Sequence, residues 1–142
     1  MKPSNSLKIL WIVAVIFLWL PARAFPQEDG ITPRPPDSLT ANQSAILPFI
    51  VIANYRDIQS VQGFFRTDTT IAYTGRDMVQ DTSGVYWLYL RPEELTGDTL
   101  YYFAMAQLSD HGLLAYPEDD PAKQPAKIPL THPAADSISS GK

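Results

Sequence analysis

The residues able to support catalysis are few in this chain. It has no cysteine and two histidines, His111 and His132, so a nucleophile and its base would have to come from a small set of side chains. His111 lies between Asp110 and Gly112, neighbours that are typical of a tight turn rather than of a general base. No nucleophile-elbow pattern occurs. The sequence therefore predicts that the protein is not an enzyme.

The longest run of adjacent carboxylates, Glu118-Asp119-Asp120, could offer hard oxygen ligands to a cation. Adjacent side chains rarely converge on one ion, and the spacing of an EF-hand loop is absent. We interpret the run as a solvated acidic turn, and we expect neither a metal site nor a cofactor.

Aromatic side chains offer a different chemistry, that of binding. In the segment GVYWLYL (residues 84–90), Val85, Trp87 and Tyr89 would share one side of an extended strand. Such an apolar row can dock another protein, and its planar rings can also stack on a sugar. It can equally pack across neighbouring strands or lie under the N-terminal segment, with no binding role. The sequence leaves these alternatives open.

Strands must position this row, and the chain has many segments of strand composition, separated by turn residues and without an amphipathic helix. They are residues 47–55, 60–67, 70–74, 84–90, 99–108, 113–116 and 126–130. Their number and spacing predict an all-β protein, a single antiparallel β-sandwich of about seven strands. A closed barrel is the alternative, because strand count does not separate the two.

The strongest local pattern lies where a turn enters the 99–108 segment. Leu95, Gly97, Thr99 and Tyr101 occupy alternate positions there. This spacing resembles the tyrosine corner of fibronectin type III and related immunoglobulin-like domains. The resemblance implies that the Tyr101 ring lies in the core, with its hydroxyl bonded to backbone across the corner.

The wider order of motifs resembles an immunoglobulin-like module of exported bacterial proteins. The order comprises GFFR at residues 63–66, Met78, a Gly84-x-Tyr86 strand and a Tyr-Tyr strand closed by a glycine turn. The resemblance covers residues 46–130 and implies an immunoglobulin-like, fibronectin type III-like sandwich. It says little about function, since such sandwiches serve as spacers, docking modules and sugar binders.

The same resemblance places residues 47–55 beside residues 84–90. Tyr86, Leu88 and Leu90 would then face the core, while Val85, Trp87 and Tyr89 would face outward. Residues 47–55 have two apolar rows, one with Ile50 and Ile52 and the other with Leu47, Phe49, Val51 and Ala53, and whichever row points outward would share the outer face of the sheet. An outer face with so many apolar side chains is unusual for a sheet in water.

The N-terminus has the order of a secretory signal peptide: Lys2 and Lys8, an apolar run at residues 9–20, then Ala22-Arg23-Ala24. Twelve apolar residues are too short for a stable membrane span. We therefore expect a cleaved signal peptide at 1–24, a Pro-rich linker at 25–44, the sandwich at 45–130 and a disordered tail at 131–142. The working protein would be exported, to the periplasm or outside the cell.

Charge narrows the class of partner. Removal of residues 1–24 leaves eight basic against fifteen acidic residues, a net charge of −7. Nucleic acid is therefore not an expected partner. The sequence predicts a non-catalytic module that docks another envelope or extracellular protein or acts as a spacer. The alternative is a carbohydrate-binding module that holds a polysaccharide on Trp87 and Tyr89.

Overall fold

The structure, a computed structural model, describes residues 27–134. The predicted signal peptide and residues 135–142 of the predicted tail lie outside that range. Within it, no helix has the length and apolar character needed to cross a membrane.

The described chain is all-β apart from one turn of 3-10 helix at Pro92–Glu94. Ten strands form two sheets, and one of the two curls into a half-barrel. The strands are β1 (Gly30–Pro33), β2 (Leu39–Thr40), β3 (Ala45–Ile52), β4 (Ile58–Arg66), β5 (Thr74–Asp77), β6 (Val79–Gln80), β7 (Tyr86–Leu90), β8 (Thr99–Leu108), β9 (Leu113–Tyr116) and β10 (Ala126–Thr131).

The four-stranded sheet has the order β1-β3-β7-β6, and the six-stranded sheet has the order β2-β10-β8-β4-β5, with β9 also paired to β8. All pairings are antiparallel except that of β2 with β10. The two sheets have free edges, so the closed-barrel alternative is wrong.

The core lies between the sheets and is apolar throughout the described chain. Alternate residues of each central strand face it, as the period of two requires. They include Leu47 and Phe49 of β3, Leu88 and Leu90 of β7, and Leu100, Tyr102, Ala104, Ala106 and Leu108 of β8. Because the chain has no cysteine, this packing has to hold the two sheets together.

The prediction of about seven strands is wrong as a count, for a physical reason. The seven predicted segments lack β1, β2 and β6, whereas β9 and β10 correspond to two of them. β1 and β2 belong to different sheets, and so do β5 and β6. At Met78, between β5 and β6, the side chain is buried and the backbone N–H donates to the carbonyl of Val61 at 2.9 Å. A strand that changes sheets pairs with a different neighbour on each side of the break.

The segment predicted to be a Pro-rich linker at 25–44 contains β1 and β2, so for its described part that interpretation is wrong. Ile31, Leu39 and Ala41 are buried in the core, and β1 adds to the edge of β3 rather than crossing its face. Prolines are compatible with strands at a sheet edge, where one side of the backbone needs no partner. At the other end, the predicted boundary at residue 130 falls inside β10, which ends at Thr131.

The tyrosine-corner prediction is wrong about which tyrosine is buried. Tyr102 is 1% exposed and packs edge-on against Phe49, with ring centroids 6.1 Å apart. Tyr101 lies on the opposite side of β8, with the Lys127 ammonium 5.8 Å from its ring centroid. Leu95 is fully buried as expected, but the intervening loop changes which alternate row of β8 faces inward. Gly97, at φ +87°, supplies the left-handed backbone of that loop.

One further assignment differs locally. The predicted strand at 70–74 lies mostly in a loop at residues 67–73, and β5 begins at Thr74. Asp77 is acceptable in β5 because this is an edge strand, where an exposed charged side chain reaches water. Arg76 is half-buried and is paired with Glu94 instead.

The tightest contact between the sheets predicts a stability effect. A Cβ added at Gly63 of β4 would lie 2.6 Å from Leu88 Cδ2, inside the core. We expect Gly63→Ala to lower the free energy of unfolding by about 1–3 kcal/mol through overpacking. Urea denaturation measures this change.

The same clash makes a coupled pair. Leu88→Ala should lower the free energy of unfolding less in the Gly63→Ala chain than in the unmodified chain, because the smaller side chain at position 88 leaves space for the methyl group added at position 63. Gly30→Ala is the matched control, since a Cβ there meets no atom within 4 Å. Strict additivity of the Gly63 and Leu88 changes would contradict the packing argument.

Candidate functional site

The outer side of the four-stranded sheet carries an apolar surface, formed by alternate residues of three adjacent strands. On β7 these are Trp87 and Tyr89. On β3, Ile46 lies opposite Tyr89 and Pro48 lies opposite Trp87. On β6, Val79 lies opposite Trp87. We call this surface the outer apolar face, and its members are Ile46, Pro48, Ile50, Val79, Trp87 and Tyr89.

The predicted site residues lie on this side of the sheet, but their exposure differs. Tyr89 is 49% exposed, whereas Val85, Trp87, Ile50 and Ile52 are half-buried. Val85 belongs to the turn before β7, and Ile52 lies opposite Gly30 at the edge of the sheet. Trp87 and Tyr89 lie on the side of β7 opposite the buried Leu88 and Leu90, as predicted, and the role of all these residues in binding stays a prediction.

Two well-exposed members of the face were missed from the sequence. Ile46 is 47% exposed and Val79 is 57% exposed. Ile46 precedes the segment assigned to the strand, although its spacing from Ile50 by four residues could have placed it on the same side. Val79 lies in a two-residue strand, which is too short to show any alternation.

A hydrogen bond fixes the Trp87 ring at one border of the face. Its indole N–H donates to Asp81 Oδ2 at 2.8 Å. The other carboxylate oxygen accepts from the Ser83 hydroxyl at 2.6 Å and from the Ser83 and Val85 N–H groups at 2.8 and 3.1 Å. These donors, the Ser83 hydroxyl foremost, lower the pKa of Asp81 to about 2. Asp81 is therefore ionised, and both its carboxylate oxygens are occupied by hydrogen bonds from its own turn and from Trp87.

The other end of β7 is held by Arg76 of β5. Its guanidinium donates to the Tyr89 carbonyl at 2.7 Å and to Glu94 Oε2 at 2.8 Å. The Arg76 hydrogen bonds lower the pKa of Glu94, and Glu94 in turn accepts from the Arg91 N–H at 2.8 Å. Arg76 thus joins the edge of the six-stranded sheet to the strand that presents Tyr89.

The outer side of the six-stranded sheet is different because the chain covers it. Phe103 stacks on Phe64 with ring centroids 4.7 Å apart, and Tyr73 packs edge-on against it. The Tyr73 hydroxyl donates to the Ala122 carbonyl at 3.0 Å, which joins two loops across the sheet. Phe103 is consequently only 6% exposed. Within residues 27–134, no such cover lies over Tyr89 and Ile46.

The remaining residues singled out in the sequence do not converge. His111 sits in a turn with φ +67°, Glu118, Asp119 and Asp120 are exposed in a loop, and His132 Nε2 lies 2.9 Å from Asp98 Oδ1. Between residues 27 and 134, no group of three or more histidine or acidic side chains is arranged to hold a metal ion.

The comparisons with known proteins find similarity of fold only. No family model matches this chain, and no curated protein matches it. The endo-β-1,4-mannanase of Thermotoga petrophila is similar over 93% of this chain and 25% of that chain, with a TM-score of 0.55 and 10% identity.

Two variants of the superoxide reductase (neelaredoxin) of Ignicoccus hospitalis are more distant. Their TM-scores are 0.47 and 0.46, with 11% and 10% identity, over 79% and 74% of this chain and 86% and 81% of theirs. This chain spans about a quarter of the mannanase. The likeness to the mannanase concerns the fold alone.

The Asp81–Trp87 hydrogen bond predicts a fluorescence change in acid. In the folded protein the pKa of Asp81 is about 2, below its ordinary value of 3.8. The ionised carboxylate therefore stabilises the folded state above about pH 4, and this stabilisation is lost as the pH falls through about 2. In residues 25–142 Trp87 is the only tryptophan, so its emission should shift around pH 2.

Asp81→Asn should remove that transition, because the amide does not titrate. Asp119→Asn, in an exposed loop, is the matched control and should leave it in place. Circular dichroism on the same samples separates this local change from unfolding. An emission change that persists unaltered in Asp81→Asn would contradict the assignment.

Proposed function

We propose that this protein is an exported, non-catalytic immunoglobulin-like module that docks another envelope or extracellular protein through its outer apolar face. The observation that carries the proposal is the pair Ile46 and Tyr89. These two large side chains are cross-strand neighbours, each about half exposed, on the sheet face that the described residues leave open.

The strand order supports the immunoglobulin-like part of this proposal. In the constant-type immunoglobulin fold, strands A, B, E and D form one sheet and C, F and G the other. The order β1-β3-β7-β6 matches A-B-E-D, and the order β10-β8-β4 matches G-F-C. Counting β1 with β2, β5 with β6 and β9 with β10 as one strand each gives the seven strands of that fold, a number that fibronectin type III-like domains share.

The composition of the face supports docking of a protein. Its alternate rows on β3 and β7, together with Val79, contain no charged side chain, although the chain as a whole is acidic. Charged residues are depleted at the centres of protein interfaces, whereas tyrosine and tryptophan are enriched there. Burying Ile46, Val79 and Tyr89 against an apolar partner would also remove exposed apolar surface from water.

Carbohydrate binding is the second candidate, favoured by the spacing of Trp87 and Tyr89 along one strand. It has less support from the geometry. A sugar site needs polar groups that hold hydroxyls, and the nearest carboxylate, Asp81, already accepts four hydrogen bonds from its own turn and from Trp87. Trp87 is also half-buried, so less of its ring is free for stacking.

Site-specific photo-cross-linking tests the docking proposal. A photoreactive residue replaces Tyr89 in the full chain, which is expressed in the cells that produce it. Irradiation should give one discrete adduct with another protein, because position 89 would lie within the interface. The same replacement at Ile71, which is 54% exposed in the 67–73 loop, should give none.

A charge in the face should break the interaction. Ile46→Glu, combined with the probe at position 89, should abolish the adduct, because a desolvated carboxylate without a partner is costly. Ile71→Glu is the matched control and should leave the adduct unchanged. Absence of any adduct would favour a spacer role, and retention on polysaccharides that is lost in Trp87→Ala would favour the sugar-binding alternative.

A further inference from the structure

The edges of the two sheets differ in how well they are protected against pairing with another strand. An exposed strand edge offers unpaired backbone groups, and proteins usually blunt such edges with prolines, charges or very short strands. Here β1 contains Pro33, β10 contains Lys127 and Pro129, and β5 contains Arg76 and Asp77, while β2 and β6 have two residues each.

Strand β9 lacks all of these devices. Its sequence, LLAY, has no charge, proline or glycine, and Leu113 is 63% exposed. It pairs with β8 on one side and with no strand on the other. Among the described edges it is therefore the one best suited to accept another strand.

The direction of the free backbone groups follows from the pairing. Leu108 N–H donates to the Gly112 carbonyl at 2.9 Å, and in an antiparallel ladder the bonded pairs alternate with non-bonded ones. Leu114, opposite Ala106, is then a bonded position, whereas Leu113 and Ala115 direct their N–H and C=O groups away from β8. These groups make no backbone hydrogen bond within residues 27–134.

A groove of about 430 Å³ runs along this edge, between β9 and the start of β1. Its walls include Gly30 and Ile31 on one side and Leu113, Leu114 and Tyr116 on the other. A Cβ added at Gly30 would meet no atom within 4 Å, so the wall formed by β1 is open. Leu114 and Tyr116 pack against the core and give the groove an apolar floor.

Charge indicates which kind of strand fits. Asp110 lies before β9, where it and Asp29 both contact the Arg56 guanidinium, and an acidic run at residues 118–120 follows β9. Two carboxylates and one guanidinium leave the Asp110 end with a net negative charge. In a two-fold antiparallel pairing of β9 with β9 of a second copy, this end of each copy would approach the acidic run of the other, and like charges facing each other across strands are destabilising. A strand with basic ends would instead meet net negative charge at both ends.

We infer that the free edge of β9 accepts an extended segment of another protein, which has apolar side chains at alternate positions and lysine or arginine at its ends. The segment would bond to the N–H and C=O groups of Leu113 and Ala115, as in other cases of strand addition. Its inward side chains would lie against Ile31 and Leu114. This site is separate from the outer apolar face and does not rest on the function proposed for it.

Amide hydrogen exchange of the full purified chain tests the inference, with a synthetic peptide of alternating valine and threonine and lysines at both ends as the probe. The Leu113 and Ala115 amides should become protected when the peptide binds, because they then donate hydrogen bonds. Binding should weaken as salt rises. A peptide with glutamates in place of the lysines is the matched probe and should not bind.

A single substitution can remove the free edge while leaving the ladder with β8 intact. Ala115→Pro deletes an N–H that points away from β8, at a position where proline is compatible with an edge strand. It should weaken peptide binding about tenfold or more. Tyr89→Glu, on the outer apolar face, should leave peptide binding unchanged.

If Ala115→Pro does not fold, a second variant keeps the inference testable. Glu118→Lys combined with Asp119→Lys should weaken binding of the lysine peptide, whereas Asp77→Lys on β5 should not. Unchanged exchange at Leu113 and Ala115 would overturn the inference. So would binding that survives Ala115→Pro, or protection that depends on protein concentration without peptide, which would identify a second copy as the occupant.

Discussion

The close approach of the two sheets at Leu88 and Gly63 is the contact on which the rest of the structure depends. Leu88 is fully buried at the centre of β7, and its side chain occupies the space that a Cβ at Gly63 would need. Without disulfides, the sheets are held together by apolar packing of this kind, which is sensitive to a single methyl group. With Leu88 fixed inward, the period of two turns Trp87 and Tyr89 outward.

The broken strands explain how a small domain makes so many different edges. Because the segment around Met78 pairs with β4 before the break and with β7 after it, the side of the sandwich near Arg76 is bridged by hydrogen bonds between the sheets. On the opposite side, Arg56 contacts both Asp29, before β1, and Asp110, before β9, but within residues 27–134 no ladder of backbone hydrogen bonds joins β1 to β9. The two sides of one sandwich therefore differ in what they can accept.

The two proposed surfaces rely on different physics. The outer apolar face has no charge in its central rows, so its contribution to binding would come from burial of apolar area, which depends little on salt. The β9 edge offers directional backbone hydrogen bonds between acidic ends, and its contribution would fall as salt screens those charges. A module with both could contact two partners, or one partner at two places, without any catalytic group.

Strict alternation made part of the fold predictable from sequence. In residues 86–90 it distinguished Leu88 and Leu90 from Trp87 and Tyr89, and the strand at 99–108 was placed with the bounds that the structure has. Alternation failed where both rows of a strand are apolar: Tyr101 and Tyr102 are chemically alike, so the sequence pattern carried no information about which one faces Phe49.

What the sequence by itself determined is the all-β class, most of the central strands and the outward direction of Trp87 and Tyr89, because these follow from local composition and the two-residue period of a strand. Only the tertiary structure decided the rest. β1 and β2 are stable as strands because β3 and β10 pair with them. Whether an outer face stays open depends on where a distant loop lies: Tyr73 covers Phe103, and no side chain of the described loops covers Ile46 and Tyr89 in the same way.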